Sequence, residues 1–223
     1  KDQIKSIDYA CKIVRDTLFL MEEKIVPGIT TLDLDKMAEE FIISKGAIPG
    51  FKGLYGFPGT LCVSIEDEVV HGIPSSRELE EGQIISIDVG SIYEDYYGDH
   101  AKTFAVGNID KDRKEILDVT KQSLMLAIDQ VSSGKFIGDI GYAVQNYAEK
   151  HNFSVVKDLV GHGIGKSLHE EPQIPNYGKK NTGAEMKEGM CLAIEPMLNQ
   201  GSDKIMTKED GWTICTVDGK LSA

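Results

Sequence analysis

An octet in the middle of the chain returns near its end. Glu81-Gly82-Gln83-Ile84-Ile85-Ser86-Ile87-Asp88 is matched 107 positions later by Glu188-Gly189-Met190-Cys191-Leu192-Ala193-Ile194-Glu195. Each copy reads as an acid-Gly turn, an apolar strand and a carboxylate at the strand's end. Asp33 and Asp139, each at the start of a helical segment, stand 106 apart, which carries the match backward into the helices. A chain of 223 residues holds two such units and little else. The repeat therefore predicts one α+β domain with two similar halves, about 1–107 and 108–223. Their strands would form a shared curved antiparallel sheet covered by four helices, leaving a concave face for a site. The rival reading is a chance match of two turn-strand units.

Hydrophobic spacing supplies the elements. Ile4, Ile7, Cys11, Val14, Leu18 and Met21 recur at steps of three and four, one stripe of an amphipathic helix. Thr30 and Asp33 read as a capping box, followed by an apolar face of Leu34, Met37, Ala38, Phe41 and Ile42. A Gly/Pro-rich stretch from Pro49 to Gly59 leads into strands at Leu61–Ile65, Gln83–Val89 and Thr103–Val106. Leu117, Leu124, Ile128 and Val131 predict a third helix, and Ile140, Val144, Tyr147 and Ala148 a fourth. Strands at Cys191–Glu195 and Trp212–Val217 close the pattern, which is two helices then strands, twice.

Composition narrows the function. Lys+Arg number 24 against 36 Asp+Glu, a formal charge of −12, with no run of basic residues longer than two. Such a chain offers little to a phosphate backbone, so nucleic acid is excluded as the main partner. No stretch approaches the roughly 18 apolar residues of a membrane span, and no apolar signal core opens the sequence, so the expectation is a cytoplasmic protein. Cys11, Cys62, Cys191 and Cys215 form no Cys-x-x-Cys pair. They are expected to be reduced, buried and small apolar in character, with neither a disulfide nor a thiolate metal site.

Asp88 and Glu195 each close an apolar strand, where a carboxylate is costly to bury without a compensating cation or hydrogen bonds. Two of them at equivalent points of a repeat suggest a shared cation. Asp99 lies 11 residues beyond Asp88, and a hairpin through Tyr93–Gly98 would return it beside Asp88. Taken singly, each acid also reads as a solvated loop residue. Histidine is more selective. His71-Gly72-Ile73 and Gly161-His162-Gly163-Ile164-Gly165 share a His-Gly-Ile core, and His169-Glu170-Glu171-Pro172 follows closely. Flanking glycines let neighbouring backbone approach and aim an imidazole into a site. His100 and His151 lack that context and read as structural.

These motifs, with Ile194-Glu195-Pro196-Met197, resemble the type I, bacterial-like methionine aminopeptidases from end to end. The resemblance implies the pseudo-twofold pita-bread fold. It also implies removal of the initiator methionine from nascent proteins and peptides by metal-hydroxide attack on the first peptide bond. It makes Asp88, Asp99, His162 and Glu195 ligands of two divalent ions, and carboxylates with one imidazole suit Co²⁺, Mn²⁺, Fe²⁺ or Zn²⁺. Two such ions about 3.5–4 Å apart can hold the nucleophile, polarise the carbonyl and anchor the substrate's amine. His169 would steady the tetrahedral intermediate and His71 would contact the peptide on the leaving-group side. Phe57, Cys62, Leu168 and Trp212 would line a narrow methionine pocket. The family pattern continues past Ala223 into a strand carrying a metal-bridging glutamate, so the expectation is a trimmed chain with four of five protein ligands. The resemblance further implies a monomer with at most transient ribosome proximity.

Two other readings remain at this point. Proline-specific dinuclear aminopeptidases and dipeptidases share the fold but carry an extra N-terminal domain, for which the roughly 60 residues before the first strand leave no room. A non-catalytic binding protein would keep the fold but have lost the metals, and its metal content would distinguish it.

Overall fold

The structure, a computed structural model, describes residues 2–223. Helices α1 (Asp2–Lys24) and α2 (Thr31–Ser44) precede strands β1 (Ile48–Pro49), β2 (Leu61–Ile65), β3 (Glu68–Val70), β4 (Ile84–Tyr93) and β5 (Tyr96–Ala105). Helices α3 (Lys111–Ile128) and α4 (Ile137–Lys150) then precede β6 (Ser154–Val155), β7 (Val160–Gly163), β8 (Glu170–Pro175), β9 (Leu192–Ala193), β10 (Leu198–Asn199), β11 (Ile205–Thr207) and β12 (Ile214–Thr216). Two helices then strands, twice, is the observed order. Every pairing is antiparallel.

Hydrogen bonding divides the strands into four ladders rather than one sheet: β1-β4-β2 with β5 on β4, then β10-β6, β11-β12-β3 and β8-β7-β9. The β11-β12-β3 ladder joins strands from both parts of the chain. The hydrophobic core is likewise double. One cluster gathers α1, α2, β2, β4 and β5 around Leu34, Ile42, Ile65 and Ile87, and another gathers α3 and α4 around Ile116, Ile140, Ile174 and Leu198. Gly82 and Gly189, equivalent in the octets, share a left-handed backbone, φ +90° and +92°, open to glycine at little cost.

The helix faces are partly rotated from expectation. On α1, Val14, Leu18 and Met21 are buried as predicted, but Ile4 is 68% exposed and Cys11 is exposed, while Ser6 and Ala10 are buried. The cause is the crossing of α1 over β5. A Cβ on Gly98 would lie 2.5 Å from the Ala10 carbonyl carbon, so only small residues fit at the crossing. On α3 the buried face is Ile116, Val119, Ser123 and Ala127, and Ile128 and Val131 are exposed because the helix ends at Ile128. Only Cys62 and Cys215 are buried among the cysteines; Cys191 is half-buried, and all four are free.

The two matching helix starts carry complementary halves of a capping box. At α2, Thr30 Oγ1 accepts the Asp33 N–H at 3.1 Å, while its hydroxyl donates to Asp33 Oδ2 at 2.6 Å. At α4, Phe136 offers no side-chain acceptor, and Asp139 Oδ2 accepts the Phe136 N–H at 2.9 Å.

Candidate metal centre and adjoining apolar cavity

Three elements bring four candidate ligands together. The β4-β5 hairpin turns through Glu94 and Asp95, both with positive φ (48° and 66°), the geometry of a two-residue type I′ turn. It sets Asp88 opposite Ala101 and Asp99 opposite Gly90. Asp99 is thus a diagonal neighbour of Asp88 on the same face, two residues further along than direct pairing would put it, and still within side-chain reach. His162 lies in the central strand of the β8-β7-β9 ladder, opposite Gln173 and Ala193. Its flanking glycines are sterically required. A Cβ on Gly161 would lie 2.3 Å from the Ala193 carbonyl oxygen, and one on Gly163 2.2 Å from that of Glu171. Glu195 follows β9, and the Tyr97 N–H donates to the Gly165 carbonyl at 2.8 Å, tying β5 to the segment after β7.

His162 Nε2 stands 3.5 Å from Asp99 Oδ2 and 3.2 Å from Glu195 Oε1. Its Nδ1 faces the Gly163 carbonyl oxygen at 2.9 Å, which fixes the ring. The ligand atoms of Asp99, His162 and Glu195 all lie within 4.8 Å of one another. Two buried oxygens, Asp88 Oδ1 and Glu195 Oε1, have no hydrogen-bond partner. The 3.2 Å contact from His162 to Glu195 Oε1 lacks hydrogen-bond alignment, so it satisfies Coulomb's law without satisfying that oxygen.

The charges are mutually strained. Burial, with repulsion from Asp99 and Glu195, pushes the Asp88 carboxyl well above the carboxylate range. Burial also raises Glu195, against the relief it gains from His162. Burial opposes the charged form of His162, but the close carboxylates of Asp99 and Glu195 outweigh it and lift the imidazole to about 10. Three crowded carboxylates thus face a single imidazole. Unpartnered buried oxygens in such a cluster fit a divalent cation, and oxygen donors with one imidazole suit Mn²⁺, Fe²⁺, Co²⁺ or Zn²⁺. The other two histidines go the opposite way. Burial lowers His71, with the nearby His169 adding to the effect, and burial together with the His162 charge lowers His169. Both are therefore neutral imidazoles at pH 7, able to donate a hydrogen bond through one ring nitrogen.

The centre opens on a cavity of about 220 Å³. Asp88, Asp99, His162, Glu195, His71, His169, Phe57, Cys62, Leu168 and Trp212 all line it. His169 and His162 meet edge to face at 4.5 Å, and Phe57 and Trp212 at 5.1 Å. His71 holds a left-handed backbone (φ 59°), an uncommon conformation for a residue with a side chain. Residues not singled out from the sequence also line the cavity: Phe51, Leu54 and Tyr55 from the loop before β2, with Val70, Leu159, Val160 and Met197. The Gly/Pro-rich composition of that loop marked it as irregular but said nothing of where its aromatics point.

The description of metallopeptidase family M24 matches residues 5–217. Methionine aminopeptidase 1 of Bacillus subtilis is 50% identical over 214 residues, covering 96% of this chain and 86% of the relative. The crystal structure of methionine aminopeptidase from Thermotoga maritima superposes with a TM-score of 0.98 at 42% identity, over 100% of this chain and 90% of that one. Prolidase from Pyrococcus furiosus gives a TM-score of 0.74 at 24% identity, covering 89% of this chain and 56% of its own, which shows the shared pita-bread fold alone.

Proposed function

The chain belongs to metallopeptidase family M24, and from that membership we propose that it is a metal-dependent aminopeptidase removing the N-terminal methionine of proteins and peptides. The observation that carries the reading is the pair of unpartnered buried oxygens, Asp88 Oδ1 and Glu195 Oε1, which line an apolar cavity beside His162. Asp88, Asp99, His162 and Glu195 would hold two divalent ions. When bound, such ions supply a nucleophile at neutral pH and polarise the scissile carbonyl. The protein's own groups do the rest. Phe57, Cys62, Leu168 and Trp212 form an apolar slot suited to an unbranched thioether, excluding water from its walls. His169, neutral and at the cavity rim, donates a hydrogen bond to the carbonyl oxygen as charge develops there. His71 contacts the peptide on the leaving-group side.

Among the described residues no helix is long and apolar enough to cross a membrane. The reading extends to a monomer working in the cytoplasm on newly made chains, with transient ribosome proximity.

The test is release of free methionine from a Met-Ala-Ser peptide with and without Mn²⁺ or Co²⁺, with bound metal counted in parallel. Metal-dependent release is expected, and His169→Ala should lower kcat by about 10²–10³ with metal stoichiometry retained. Metal-loaded protein that releases no methionine would refute the reading.

A further inference from the structure

Asp88 and Gly90 project to the same face of β4, since residues two apart in a strand share a face, and Asp99 stands opposite Gly90 on β5. Gly90 is therefore the one point of this ligand-bearing surface between Asp88 and Asp99 that carries no side chain. Another segment takes up the room. A Cβ on Gly90 would lie 2.5 Å from Phe51 Cε1 and 2.8 Å from Cδ1. The backbone delivers that ring. Ile48 and Pro49 pair with Ile92 and Ser91, and the Gly50 N–H then donates to the Gly90 carbonyl at 2.7 Å. Phe51, only 6% exposed, packs with Phe57, Cys62 and Leu168 and lines the cavity beside Asp88 and Asp99.

We propose that Phe51, seated on the bare backbone of Gly90, is a specificity-determining residue that sets how large a first side chain the cavity admits. The inference rests on reading the cavity as the site for the substrate's N-terminal residue. If the substrate's amine is held at the carboxylate cluster, its side chain enters the apolar space beginning there, and the Phe51 ring is one wall of that space. The ring is pinned between Gly90 and the apolar cluster, so a side chain at position 90 drives it into the cavity. Shortening Phe51 instead deepens the cavity. Gly90 and Phe51 thus act as one steric unit, and their substitutions compensate.

The experiment compares wild type, Phe51→Leu, Phe51→Ala, Gly90→Ala and the Phe51→Ala/Gly90→Ala double variant on peptides differing only in first residue, Met or Phe. Metal stoichiometry and unfolding midpoint are measured on each protein. Both Phe51 variants should lose at least about 10-fold of the Met-over-Phe ratio in kcat/KM. Gly90→Ala should lower kcat/KM for Met chiefly through KM, and Phe51→Ala on that background should restore most of it, a non-additive cycle. Phe51→Leu, which keeps most of the buried volume, decides the matter if Phe51→Ala fails to fold. An unchanged Met-over-Phe ratio in a folded Phe51 variant, or additive effects in the double variant, overturns the proposal. A metal-loaded wild type inactive on both peptides removes the aminopeptidase reading and this inference with it.

Discussion

Asp35 is a buried acid outside the metal centre, and its geometry separates the value of its charge from that of its hydrogen bonds. It lies on α2 at 6% exposure, and its Oδ1 alone accepts the N–H groups of Thr60 at 2.7 Å and Leu61 at 2.8 Å. Those residues lead into β2, where Leu61 pairs with Val89 and Cys62 with Asp88. Asp35→Ala strands two buried N–H donors at about 1–3 kcal/mol each, so a loss of about 2–6 kcal/mol is expected. Asn keeps an acceptor oxygen at the same place and drops the charge. Burial raises the Asp35 carboxyl above the usual carboxylate range, against the two N–H bonds that lower it, so the fold disfavours the ionised form. For an acid raised in the folded state, its stability contribution is complete below the unfolded value, about 3.9, and fades as pH rises through the folded value. Asp35→Asn should therefore match wild type near pH 4 and equal or exceed it at pH 7. Urea unfolding of the three proteins at both pH values is the assay. If Asn proves as damaging as Ala at pH 7, the carboxylate charge rather than one acceptor oxygen holds the entry to β2, and this reasoning fails.

Three further outcomes are expected. Asp139 accepts the N–H groups of Phe136 and Asn181, both at 2.9 Å, and these bonds, Asn181's the larger, hold its carboxyl below the usual range. Asp139→Ala should cost about 1–2 kcal/mol by thermal unfolding, and the wild-type advantage should be present above about pH 4 and vanish below it. Gly98→Ala forces a Cβ to within 2.5 Å of the Ala10 carbonyl carbon; about 1–3 kcal/mol of lost stability is expected, with weaker metal binding at the adjacent Asp99 seen by calorimetry. Mn²⁺ at a hundredfold excess over its Kd should stabilise the protein by about 2.7 kcal/mol per ion bound, reversed by chelator. In Asp99→Asn that shift should disappear, and its persistence would remove Asp99 from the centre.

The order of elements was legible because it rests on long periodic segments and on an octet repeated at a fixed spacing, which local chemistry reads well. Helix rotation was not, because it depends on what each helix meets. The apolar stripe through Ile4, Ile7 and Cys11 is real in the sequence, yet Gly98 admits backbone contact at Ala10 and turns the burial toward Ser6 and Ala10. On α3 the buried face likewise includes the small Ser123 and Ala127, while the larger Ile128 is exposed. A stripe of large apolar residues marks a helix; close packing of small ones decides its face. The hairpin through Tyr93–Gly98 was legible, but its two-residue turn at Glu94-Asp95 was not located within that stretch, since its left-handed φ values fall on acids rather than on a glycine.

The candidate site divides along a similar line. Its carboxylates and histidines stood out because their residue types conflict with their surroundings: acids at the ends of apolar strands, imidazoles between glycines. Such conflicts are visible in one dimension. Phe51 involves no conflict in sequence, being an aromatic residue in a Gly/Pro-rich loop. Its partner Gly90 reads as the ordinary end of a strand. Only the pairing of β1 with β4 brings the ring onto the bare backbone of Gly90. Chemistry that depends on charge can therefore be read from residue identity, while the shape of an apolar cavity is set by contacts between segments about 40 residues apart. This is why the Phe51/Gly90 cycle tests more than one residue's role. Compensation between them would show that the cavity's size is carried by a contact across the fold, and its absence would return that property to the aromatics already visible in sequence, Phe57 and Trp212.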